Sequence, residues 1–133
     1  MRLKTTLTAL TLAGMTATWA MAKTPLRDVP EIDNSMFAVG VAIEISNRCE
    51  EIQPRTVKGL AFLWDLASKA RSMGYTNAEI EAYRKSDEEK ARIRAMGETY
   101  MRSKGLDPAV DADLCTLGRQ EMAANSQIGA FLR

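Results

Sequence analysis

The chain has 133 residues, with 18 Lys or Arg against 17 Asp or Glu and no histidine, for a formal net charge of +1. A near-neutral chain of this length has room for one modest core and no global electrostatic drive toward nucleic acid. The absence of histidine removes the commonest general base and metal ligand, and with them ordinary Ser-His and Cys-His catalysis.

The first element is a targeting segment. Arg2 and Lys4 precede an apolar, uncharged run that ends in Ala20-Met21-Ala22. This is a basic start, a hydrophobic stretch and a small-x-small cleavage site, and it predicts a signal peptide over residues 1–22 cleaved after Ala22. The run is nearly long enough to span a bilayer, but its threonines make it a weak anchor. No cysteine follows it to carry a lipid. Removal leaves 111 residues with 16 basic and 17 acidic side chains, a net charge of −1. The mature chain is expected to be periplasmic or secreted, with no stable membrane span.

Residues 23–33 carry Pro25 and Pro30 and little periodicity, and read as an extended arm. A single helical domain is expected over 34–133. Its first helix starts near Asn34 or Ser35, either of which can cap, and carries Met36, Val39, Ile43, Phe37, Val41 and Ile45 on a wide apolar face. Gly40 sits mid-helix at a cost of about 1 kcal/mol, which a close helix crossing would explain. The second helix has Pro54 at or near its first turn and runs to about Ser72. Val57, Leu60, Ala61, Trp64 and Ala67 recur at three and four, widened by Leu63, Leu66 and Ala70. This is the ordinary pattern of a buried stripe, so Trp64 reads as core before it reads as a ligand platform.

"MGYTNAEI", Met73–Ile80, looks like a site and parses as a joint. Gly74 ends one helix, Thr76 caps the next, and Glu79 completes a capping box. Tyr75 and Ile80 are spaced for a hydrophobic staple. Ser86 and Glu89 repeat the box at the start of the fourth helix, which Gly105 stops. That helix buries Ile93, Met96, Tyr100 and Met101. Lys90, Arg94, Glu98 and Arg102 form a solvated charged face. Asp107-Pro108 starts the last helix, with Val110, Leu114, Leu117 and Met122 on its apolar side. Ile128, Phe131 and Leu132 are expected to dock rather than remain exposed.

Cys49 and Cys115 are the only cysteines. In an exported chain they are expected to form a disulfide, and their spacing is unlike a redox C-x-x-C pair. Closing a loop of this length stabilises by up to about 4 kcal/mol in the chain-entropy model. With the cysteines bridged, no zinc set remains beyond carboxylates, and no glycine-rich phosphate loop is present. The methionines are scattered at core spacing rather than grouped as soft-metal ligands. No cofactor or metal is expected. The bridge would gather Glu44, Glu50, Glu51, Asp111 and Asp113 into one region, a candidate cation site, catalytic pair or plain acidic surface.

"PLRDVPEIDN", "GYTNAEIEAY", "DLC" and "SQIG" together resemble a small family of exported bacterial proteins with no assigned function. The resemblance implies a helical domain, two cysteines matching Cys49 and Cys115, and no catalytic residues. The expected fold is all-α, a small irregular bundle of four to five helices with one disulfide. The expected role is non-enzymatic: a soluble periplasmic binding or accessory protein that contacts another envelope protein and no nucleic acid. The alternatives are a periplasmic acid-stress chaperone and a small carboxylate-dependent hydrolase using Glu50 and Glu51.

Overall fold

The computed structural model describes residues 22–133. The expected signal peptide lies outside them except for Ala22. Five helices follow in order: α1 (Pro30–Arg48), α2 (Thr56–Ser72), α3 (Asn77–Lys85), α4 (Asp87–Ser103) and α5 (Asp111–Ala123). Short 3-10 turns, Leu26–Asp28 and Gly129–Phe131, precede and end this set. The only bridge pairing among the described residues is an isolated antiparallel one, Pro54 to Leu132. The all-α bundle is therefore as expected.

Helix α1 is the axis of the bundle and packs most extensively on α4 and α5. The main core gathers Val41, Ile45, Leu114, Leu117, Phe131 and Leu132. Each such aliphatic side chain contributes about 1.5–3 kcal/mol when fully buried. Gly40 and Gly97 let α1 and α4 approach closely. A Cβ on Gly40 would lie 2.7 Å from Ile93 Cγ2, and one on Gly97 would lie 3.3 Å from Val41 Cγ2. The mid-helix glycine thus has the packing reason its position called for.

The disulfide forms between Cys49 and Cys115, with Cα atoms 5.3 Å apart, and ties the end of α1 to α5. The chain end docks as expected. Gln53 N–H donates to Arg133 O at 2.8 Å, Arg133 N–H donates back to Gln53 O at 2.9 Å, and Ile128, Phe131 and Leu132 are buried. The "SQIG" stretch is the clasp. Ser126 Oγ donates to Glu121 O and accepts from Gly129 N–H. A Cβ on Gly129 would fall 2.2 Å from that same Glu121 carbonyl oxygen, which is backbone and cannot swing away. Gly129→Ala is expected to cost about 2 kcal/mol or more, seen as a fall in Tm of roughly 10 °C. Gly59→Ala, on α2 with nothing within 4 Å of its Cβ, should leave Tm unchanged or slightly higher.

Several expectations need correction. Helix α1 begins at Pro30, not at Asn34 or Ser35. Val29 is the N-cap and Pro30 occupies N1, where its missing N–H costs nothing. Residues 23–33 are consequently not an extended arm throughout, since Leu26–Asp28 form a 3-10 turn and Pro30 onward is helix. Leu26 and Ile32 are buried against Leu66, Ala70 and Tyr75, and the Tyr75 hydroxyl donates to Thr24 O. Helix α2 starts at Thr56, because Pro54 is engaged with the chain end.

The buried face of α2 is only part of the expected one. Leu66 and Ala70 lie inside, with the Phe62 ring tilted against Phe131 at a centroid distance of 5.0 Å, while Val57, Leu60 and Trp64 are 83%, 55% and 71% exposed. This helix is apolar on two opposite sides, and periodicity alone cannot choose between them. Asp107 and Pro108 form a turn ahead of α5 instead of its first residues. Asp107 Oδ1 accepts from Ala109 N–H, and Val110 is the N-cap.

The joint at Met73–Ile80 is built as its spacing suggests. Thr76 Oγ1 accepts from Glu79 N–H at 3.2 Å, and Glu79 Oε2 accepts from Thr76 N–H at 2.6 Å. At the next joint only half the box forms. Ser86 Oγ accepts from Glu89 N–H, but the Glu89 carboxylate turns inward to two arginines.

Candidate functional site

The acids around the disulfide come together in part, and arginines answer them. Arg48 bridges Glu44 and Asp111 and also donates to Pro108 O. Hydrogen bonding to Asp111, then to Glu44, outweighs burial and holds the Arg48 guanidinium above its ordinary value. Arg119 takes Glu51 at 2.9 Å, and Asp113 accepts from Asp107 N–H. Glu50 is exposed. Cys49, Glu51 and Cys115 form the one cluster of potential metal-ligand atoms among the described residues, and both sulfurs are committed to the disulfide. A disulfide sulfur is not the thiolate that binds a metal. The arrangement is that of a structural surface with matched charges.

A second constellation was not legible as a unit. Asp33 and Glu89 are buried acids from α1 and α4, and Arg92 lies between them, 2.8 Å from Glu89 Oε2. Arg92 also grips Asp33 with both terminal nitrogens. The Tyr83 hydroxyl donates to Asp33 Oδ1 at 2.6 Å, and Arg27 reaches Glu88 and Glu89. Burial pushes the Glu89 carboxyl up, but hydrogen bonds from Arg92 and Arg27 more than reverse this and leave it below the usual carboxylate range. Burial first, then the bond to Asp33, raises the Tyr83 hydroxyl far above its ordinary value.

Towards the C-terminal end of α4, Glu121 is only 3% exposed and accepts from the Tyr100 hydroxyl, with Lys104 3.6 Å away. Burial and then this bond raise Tyr100. No buried side-chain polar atom among the described residues lacks a partner. These groups are saturated, and a saturated network holds a fold in one arrangement without offering a free acid or base. One signal in the sequence pointed to Glu121. It lies seven and four residues on from Leu114 and Leu117, on the buried stripe itself.

What is open is a groove of about 430 Å3 between α1 and α4. Its floor is made by Val39, Gly40, Ile93 and Gly97. The two glycines that permit the close crossing also leave the floor low. Ile43 stands on the wall, 51% exposed. The rim carries Arg48, Arg84, Lys90 and Arg94 against Glu44 and Glu98. Arg84 is taken up by Glu81 and Arg48 by Glu44 and Asp111, whereas Lys90 holds Asp87 only at 3.7 Å. Arg94 makes no ion pair among the described residues. The α4 edge is thus an apolar lip with an available positive charge.

The sequence reading placed Lys90 and Arg94 on a solvated face and Ile43 in the core. It missed the groove because a groove needs two helices brought together. No helix of the described residues is long and apolar enough to cross a membrane.

Residues 24–133 match the model of a family described as Family of unknown function (DUF5333), and the chain belongs to that family. No curated protein and no solved structure matches it.

Proposed function

We propose that this member of the family is a non-enzymatic accessory protein of the bacterial envelope, exported by its N-terminal segment, that holds a segment of another protein in the α1/α4 groove. The observation that carries this is the groove itself: an open apolar floor beside the unpaired Arg94. Its volume suits a few apolar side chains, and a helix laid in a groove is a recurring mode of peptide recognition. The surplus of positive charge on the rim favours a segment with acidic residues along one flank. The matching of Glu44, Asp111 and Glu51 by arginines supports binding over hydrolysis.

The test is Ile43→Glu. Ile43 is half exposed, so the variant should fold with its Tm within a few degrees of the parent. It should lose capture of the partner at least tenfold, since it puts a charge on the apolar wall and repels an acidic flank. Unchanged capture by a folded variant would remove the groove from the reading.

An acid-stress role has one observation of its own. The segment over 23–28 is fastened by carboxylates, through Lys23 to Glu79 and Arg27 to Glu88 and Glu89. The backbone bond from Thr76 and then Lys23 hold the Glu79 carboxyl below its ordinary value. A depressed carboxyl stabilises fully above the ordinary carboxylate range and loses that contribution as pH falls through its folded value. As pH falls below the ordinary carboxylate range the segment is expected to loosen first, exposing Leu66, Ala70 and Tyr75. Hydrogen exchange should show residues 24–29 opening before α1 and α5. Absence of any protection of an aggregating client at pH 3 would remove the chaperone reading.

A further inference from the structure

Helix α2 carries a second apolar face that its own core does not use. Val57, Leu60, Ala61 and Trp64 recur at three and four residues along the side opposite Leu66 and Ala70, and all four are exposed. Such a face on a helix of 17 residues is long enough to receive another helix. Lys58 and Asp65 flank it on one side only. They are seven residues, or about two turns, apart on the same edge, and neither makes an ion pair among the described residues.

This edge is complementary to itself. When two α2 helices pack antiparallel about a twofold axis, each flank meets the same flank of its partner. An axis passing between Ala61 and Phe62 sets each copy's Lys58 opposite the other's Asp65. It also sets Trp64 beside the other copy's Val57 and Leu60, with the small Ala61 side chains at the centre where the helices come closest. Isologous contacts of this kind are the commonest way soluble chains pair.

We infer that the exposed face of α2 is a homodimer interface, closed by antiparallel packing of α2 on α2 with reciprocal Lys58–Asp65 pairs. One helical face buries less than the roughly 800 Å2 per partner of a stable interface, so the association is weak and reversible. The pair would present two α1/α4 grooves at once, though it does not depend on what the grooves bind.

The test is sedimentation equilibrium of the oxidised protein as recovered from the cell, from about 10 μM to 1 mM. The parent should show a concentration-dependent monomer–dimer equilibrium. Trp64→Glu should weaken it at least tenfold without loss of helical content, since the residue is exposed. Lys58→Asp alone and Asp65→Lys alone should each weaken it severalfold, by placing like charges together. The double exchange K58D/D65K should restore it, which no other packing of the two copies predicts. A monomer throughout this range overturns the inference. So does dimerisation that Trp64→Glu leaves intact, or a double exchange no better than either single change.

Discussion

Arg92→Met is expected to lower stability by about 2–3 kcal/mol, read as a fall in Tm of roughly 10–20 °C. Methionine keeps much of the packing volume and removes the cation that Asp33 and Glu89 share. Breaking a fully buried pair typically costs about 3–5 kcal/mol, and the lower figure allows for the partial exposure of Arg92. The signature lies in the pH dependence. In the parent, Glu89 is depressed by Arg92 and Arg27, so its contribution is complete at neutral pH and disappears as pH falls through its folded value. In the variant, Glu89 keeps only Arg27, so less of that contribution is present to be lost. The gap between the two proteins should therefore narrow as pH falls below the ordinary carboxylate range. A gap that stays constant would show that the loss is one of packing. Arg94→Met, at an exposed position without an ion pair, should shift stability by no more than about 0.5 kcal/mol.

Reduction of the Cys49–Cys115 bridge is expected to cost about 2–4 kcal/mol, or some 10–25 °C in Tm. The bridge encloses α2, α3 and α4 in a loop of 66 residues, so its removal releases more than half of the helical domain from constraint in the unfolded chain. For a domain of this size that is a large part of the total. Thermal melts with and without reductant measure it, and Cys49→Ala/Cys115→Ala should reproduce the reduced value. A change under about 3 °C would mean that the docked chain end, not the bridge, holds α5 to α1.

The stretches that carry the family resemblance turn out to be fasteners. "PLRDVPEIDN" supplies Leu26, Arg27, Ile32 and Asp33 to the second core and the buried ionic network. "GYTNAEIEAY" supplies the capping box and Tyr83, and "SQIG" supplies the clasp on Glu121. The Thr76 joint was legible because capping is local: Thr76 and Glu79 lie three residues apart, and the box forms although Lys23 also reaches Glu79. The disulfide was legible because two cysteines allow one pairing.

The failures share a physical cause. Pro30 was read as a break where it begins a helix, since a proline at N1 and a proline in a linker look alike without the helix in place. Trp64 was assigned to the core because α2 offers two apolar faces, and only the position of α1 and the chain end decides which is covered. Glu89 was given to its own cap because Arg27, which claims it, lies 62 residues away. The groove depends on Gly40 and Gly97 meeting across two helices, and no local pattern records such a meeting.

The central claim is that α1 and α4 together form the working surface. A photo-crosslinking residue in place of Ile43, activated in living cells, tests it most directly, with Lys69 on α2, outside the groove, as the control position. The account predicts one dominant adduct at Ile43, absent at Lys69, that maps to an apolar stretch of an envelope protein flanked by acidic residues. Adducts scattered over many proteins, the same adduct from both positions, or attachment to a polar, basic segment would contradict it.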